Sequence, residues 1–360
     1  MKKFLFLISL FALPNILFAL DEEYASLGNN PPVPARAVAN PQAGGPHKRG
    51  SLGPTSTVNK RNPFDLNSDI LENYKNWGKT RMNLEAAHKL GITGAGVTVM
   101  VIDSGVSPHK EFKTGAISTL DFTSSGPYDT FGHSTGVIGI IIAKGEDMLG
   151  VAPDAKIYSA KANPGQGLIS SGPVVNAINW AVEHNKTSQD KISVINLSYG
   201  VSGWQQDLAD AIKNAYKAGI IIVAPSGNEG FHKVLFPASM DEVIAVSGIT
   251  AHDGAYGKSS YGAQVDFTAP ASAVYTTGLN NSYIWADGTS VAAPYVAGMA
   301  ALAIEGYRLA NEGKDPSPAQ VKEILAAASS LASGPHKLKQ GYGVIDAGKV
   351  AARFVPAGKK

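Results

Sequence analysis

The chain of 360 residues contains no cysteine. That excludes disulfides, thiolate metal sites and cysteine nucleophiles, and leaves the redox compartment unassigned. Charge is also scarce, with 17% of residues ionic and a formal net charge of +2. A nucleic-acid partner needs a basic stripe, and the pairs Lys48-Arg49 and Lys60-Arg61 are too short to form one. No nucleic-acid partner is therefore expected. The first apolar run, 4–13, is shorter than the roughly 20 residues a spanning helix needs, and no stop-transfer segment follows it. A stable membrane span is not expected, and no internal repeat is evident.

What is present divides the chain into three parts. Met1-Lys2-Lys3 followed by the short apolar run reads as a secretory signal over 1–19, which points to a secreted or periplasmic protein. Residues 20–68 are punctuated by Asn29-Asn30-Pro31-Pro32-Val33-Pro34 and Pro41-Gln42-Ala43-Gly44-Gly45-Pro46, hold few large apolar side chains, and read as a linker or arm. Residues 69–360 alternate apolar runs of strand and helix period. Strands are expected over 97–102, 156–160, 192–197, 220–224 and 243–246. Helices are expected over 79–90, 133–143, 173–184, 204–218, 291–304, 318–328 and 346–354. This order predicts an α/β domain with a mainly parallel central sheet and helices on both faces.

Three residues stand at the edges of these elements. In Asp287-Gly288-Thr289-Ser290-Val291-Ala292-Ala293-Pro294 a glycine turn opens an apolar helix and places Ser290 in its first turn, where orphan N–H groups favour developing negative charge. Pro294 is read as a proline near the helix start, where a missing donor costs little. Val99-Met100-Val101-Ile102-Asp103-Ser104-Gly105 ends a buried strand in a carboxylate, and Gly132-His133-Ser134-Thr135 puts a histidine at the mouth of another apolar helix. An isolated serine in such a place is usually a cap. Asp103 and His133 argue for a nucleophile instead, since a serine hydroxyl needs a base and an oriented imidazole to attack at neutral pH. Asp129 lies closer in sequence to His133, but in a loop, so Asp103 is preferred as the acid. His109, His184, His232 and His252 lack a comparable setting and read as structural or solvated.

Taken with Gly150-Val151-Ala152-Pro153, Val194-Ile195-Asn196-Leu197-Ser198 and Ser226-Gly227-Asn228-Glu229-Gly230, these stretches resemble the subtilisin-like serine proteases, the subtilases. The resemblance runs in family order over about three quarters of the chain. It implies a serine endopeptidase acting on protein or peptide substrates through an acyl-enzyme on Ser290. His133 is the implied general base, Asp103 its orienting acid and Asn228 an oxyanion donor. Ser198-Tyr199-Gly200 and Pro225-Ser226-Gly227 are implied walls of the pocket for the residue before the scissile bond, their backbones pairing with an extended peptide. Leu235 falls near the pocket floor where glycine is common, which predicts a shallow pocket for modest apolar side chains.

Two departures from the family pattern bear on cofactors and folding. Glu111 matches a calcium carboxylate, but the loop Ala143-Lys144-Gly145-Glu146-Asp147-Met148-Leu149-Gly150 is shorter than the one that supplies the remaining ligands. No cofactor is required on this reading, and the calcium site is expected to be lost or weak. The segment before residue 69 is too short and proline-rich for a folded inhibitory pro-domain. A monomer is expected. Rival readings are a peptide-binding pseudoprotease and an acyl-transferring ligase on the same fold. A dinucleotide-binding module fares worse, because Gly91-Ile92-Thr93-Gly94-Ala95-Gly96 precedes its strand rather than following it.

Overall fold

The computed structural model describes residues 74–164, 170–333 and 337–355. The expected signal segment and arm lie outside the described residues. Seven strands form one parallel sheet: β1 (Thr98–Asp103), β2 (Ile117–Asp121), β3 (Lys156–Lys161), β4 (Ile192–Leu197), β5 (Ile221–Pro225), β6 (Val243–Ile249) and β7 (Phe267–Pro270). Their order is β2-β3-β1-β4-β5-β6-β7, with every adjacent pair parallel.

Successive strand residues point to opposite faces, and here both faces are apolar. Val99, Val101, Val194, Val223 and Val246 enter one core, while Met100, Ile102, Ile195, Ile222 and Ala245 enter the other. The first core is covered by α3 (His133–Ile142), α6 (Thr289–Ala310) and α7 (Pro318–Ala327), and the second by α4 (Ser171–Thr187) and α5 (Gln206–Lys217). α6 runs across β4 to β7 and packs on α3. Two carboxyl-terminal strand ends, those of β1 and β5, thereby face the first turns of α3 and α6.

Some expectations change in the structure. The helix expected over 79–90 is two, α1 (Trp77–Arg81) and α2 (Leu84–Lys89), because Asn83 adopts a left-handed conformation with φ 54°. Pro294 is the sixth residue of α6, not part of its first turn. β2 escaped the sequence reading because it is an edge strand whose pattern is largely exposed. β7 is short and ends in a proline, which suits an edge position. An antiparallel hairpin, β8 (Val274–Thr277) with β9 (Tyr283–Ala286), packs on α3 and also went unread.

Candidate active site

Asp103 closes β1 and His133 opens α3, thirty residues apart in sequence, and the two side chains meet: His133 Nδ1 lies 2.8 Å from Asp103 Oδ2. The other carboxylate oxygen accepts the Ser104 N–H at 2.6 Å. Asp103, His133 and Ser290 are 2%, 4% and 5% exposed, so all three are shielded from solvent. Burial opposes a charged imidazole. The charge and hydrogen bond of Asp103, followed by the charge of Asp129, outweigh it and hold His133 above its ordinary value. His133 Nε2 is buried with no hydrogen-bond partner. A buried orphan of this kind calls for an explanation, and a base awaiting its proton supplies one, since such contacts are often long before substrate binds.

Ser290 is the second residue of α6, after a glycine at φ 126° that side chains rarely tolerate. A Cβ on Gly288 would lie 3.1 Å from Asn228 Nδ2 and 3.4 Å from Ser290 Oγ, so both groups converge on that glycine. Asn228 follows the end of β5, and its orientation is set by its own carbonyl. Oδ1 accepts the Thr289 N–H at 2.8 Å and the Thr289 hydroxyl at 2.9 Å, which turns the amide Nδ2 outward.

The displaced proline has a local consequence. Residue 294 has no N–H to give the carbonyl of Ser290 four positions earlier, and the Ser198 hydroxyl donates to that carbonyl instead, at 3.2 Å. Asn196 Nδ2 in turn donates to Ser198 Oγ at 2.9 Å. The turn that bears Ser290 is thus fastened to the end of β4. Sequence reasoning assigned Ser198 to a substrate wall and missed this support; a proline six residues into the helix was the signal that could have found it.

The model of the subtilase family matches residues 94–344. The chain belongs to the subtilase family. It is 33% identical over 285 residues to the minor extracellular protease Epr of Bacillus subtilis, which spans 77% of this chain and 42% of that protein. It is 35% identical over 233 residues to a thermostable alkaline protease of Halalkalibacterium halodurans, with coverage of 64% and 63%. Subtilisin BL of Lederbergia lenta is 35% identical over 230 residues, with coverage of 63% and 82%. The chain therefore accounts for less than two thirds of the length of the first two relatives.

In this subtilase the expected pocket walls lie close together around one side chain. A Cβ on Gly200 would meet Leu235 Cδ1 at 3.3 Å, and one on Gly227 would meet Leu235 Cγ at 2.6 Å. Leu235, 4% exposed, occupies the space between the two segments. Backbone groups of the Pro225-Ser226-Gly227 wall are already engaged: Ser226 donates to Val246 O and accepts from Leu235 N, while Gly227 donates to Thr289 Oγ1 and accepts from Ser260 N. Tyr199 turns its ring into the second core, with its hydroxyl on Gln205.

Glu111 is surrounded by hydrogen-bond donors. Its carboxylate accepts the N–H groups of Gly145, Glu146, Asp147 and Met148 and the hydroxyl of Tyr283. Burial alone would raise its carboxyl. Tyr283 and the N–H groups of Asp147, Glu146 and Met148 overcome that and hold it below the usual value. Of the histidines expected to be structural, His109 bonds Ser282 O and His184 bonds Asp190 O while stacking on Trp180.

Proposed function

We propose that this subtilase is a secreted or periplasmic serine endopeptidase whose reaction runs through Ser290, His133, Asp103 and Asn228. The observation that carries the reading is the buried His133, bound to Asp103 through Nδ1 and left open at Nε2, with Ser290 at a neighbouring helix start. Ser290 Oγ attacks the scissile carbonyl and its proton passes to His133 Nε2. Asp103 holds the tautomer that exposes Nε2 and stabilises the imidazolium formed. The oxyanion is met by Asn228 Nδ2 and the Ser290 N–H, where the start of α6 adds its dipole. Collapse returns the proton to the leaving amine. Water then repeats the sequence and frees Ser290.

Because the base must be neutral to accept a proton, activity falls as pH drops through the raised titration of His133. Leu235 narrows the pocket before the scissile bond, so small or modest apolar residues are the favoured occupants. The backbone groups of Ser226 and Gly227 are engaged and the Tyr199 N–H donates to Leu197 O, so an extended substrate pairs through the remaining backbone groups of the Ser198–Gly200 segment. Glu111 does not fit a calcium ligand: five donors already face its two oxygens, whereas a calcium cage needs six to eight oxygen acceptors turned inward. The enzyme on this reading works without a metal.

A fluorophosphonate probe tests the reading. The wild-type protein is expected to be labelled and to cleave casein, and Ser290→Ala to do neither. No labelling of a folded wild type would leave a peptide-binding pseudoprotease, and labelling with transfer to an added amine in place of hydrolysis would leave a ligase.

A further inference from the structure

A histidine at the start of a helix is badly placed to become a cation. His133 is the first residue of α3, where orphan N–H groups and the positive end of the helix dipole disfavour imidazolium. The proposed reaction requires that imidazolium. The structure holds a second carboxylate beside the first that answers this conflict.

Asp129, 5% exposed, precedes α3 by four residues. Its Oδ1 accepts the N–H of Phe131 at 2.9 Å and of Gly132 at 2.8 Å, and its Oδ2 accepts the N–H of Thr135 at 2.9 Å. Donors on both sides of His133 are thereby turned onto one negative group. Thr135 Oγ1 adds a bond at 2.7 Å and Ser104 Oγ another at 3.0 Å. Ser104 links the two carboxylates, since its N–H serves Asp103 while its hydroxyl serves Asp129 and accepts the Ser134 N–H at 3.2 Å.

We infer that Asp129 is a positioning residue for the base: it fixes the turn that carries His133 and cancels the helix-end field that would resist the ring's protonation. The inference rests on His133 being that base. Asp103 from β1 touches the ring, and Asp129 acts on it through space from the preceding loop. On the third side Lys161 of β3 ends its ammonium on the Tyr128 carbonyl at 2.7 Å, one residue before Asp129.

The test follows the ring itself by NMR titration of His133 in a Ser290→Ala background, alongside the pH profile of kcat/KM with Ser290 present. Asp129→Asn is expected to lower the His133 midpoint and the acid limb together by about one unit, and to reduce kcat about tenfold. Thr135→Val removes a donor that partly neutralises Asp129, and is expected to move both midpoints upward by a few tenths. A merely structural role would lower kcat or melting temperature with neither midpoint moved; that result overturns the inference, as does a downward shift in Thr135→Val. Should Asp129→Asn not fold, Thr135→Val decides alone, because an upward shift supports the inference and an unmoved midpoint refutes it. A wild type inert toward peptides whose variants titrate in this way would overturn the peptidase reading and leave the inference standing.

Discussion

Asp129 and Glu111 are two buried carboxylates at opposite ends of α3, and each accepts five hydrogen bonds. Asp129 gathers its donors around the first turn, within electrostatic reach of His133. Glu111 gathers four N–H groups from the loop after the helix, together with Tyr283 of β9. The same valence therefore does different work according to what stands beside it. One carboxylate stands within reach of a titrating imidazole, and the other closes a loop and pins a hairpin.

This contrast can be sharpened by variants that strike one function and spare the other. The largest effect is expected from Asn228→Ala, which removes the proposed oxyanion donor and leaves both carboxylates intact: kcat falls by about 10²–10³-fold, with a modest fall in melting temperature because Thr289 loses its acceptor. A rate within threefold of wild type would remove Asn228 from that role. Next comes Glu111→Gln, which sets an amide N–H₂ against donors and is expected to cost about 2 kcal/mol in denaturant unfolding at neutral pH. Since the folded Glu111 carboxyl lies below its unfolded value, the stability it lends is complete above the unfolded value and is lost as pH falls through the folded one. The deficit of Glu111→Gln should therefore shrink in acid, while its kcat/KM acid limb stays where wild type has it. A moved acid limb would erase the contrast with Asp129.

Chelation probes the same end of α3. EDTA is expected to leave the wild-type melting temperature within about 1 °C, and a large fall would restore a metal to Glu111. The last effect concerns neither carboxylate. Leu235→Gly should improve kcat/KM for peptides with a large aromatic residue before the scissile bond by about tenfold relative to alanine there, a change of about 1.4 kcal/mol. An unaltered ratio would mean that Leu235 does not set the pocket depth.

Much of this architecture was legible before any coordinates. Asp103, His133 and Ser290 each sit where an apolar run of clear period meets a polar turn, and such junctions are readable from local pattern alone. Asn228 and the pocket walls were accessible only through the family resemblance, because a loop asparagine carries no periodic signal. The five-donor nets around Asp129 and Glu111 were not legible, since their donors are mostly backbone N–H groups whose direction depends on loop geometry. Asn83 shows the same limit from another side: a 3.6-residue pattern runs through it, while its left-handed backbone breaks the helix in two. The family resemblance implies a substrate wall at Ser198, while the support its hydroxyl gives the Ser290 carbonyl, left without a donor by Pro294, carries no sequence pattern of its own beyond that proline.

The long helix α6 has a bearing on timing as well as on shape. Its residues from Thr289 to Gly306 are buried, and it lies against β4, β5, β6 and β7, all of which precede it in the chain. During synthesis those strands leave the ribosome with one apolar face uncovered until α6 follows. The same arrival delivers Ser290 to the waiting Asp103–His133 pair. Asp103 and His133 are thus both made more than 150 residues before Ser290, and completing the core and assembling the site are a single event.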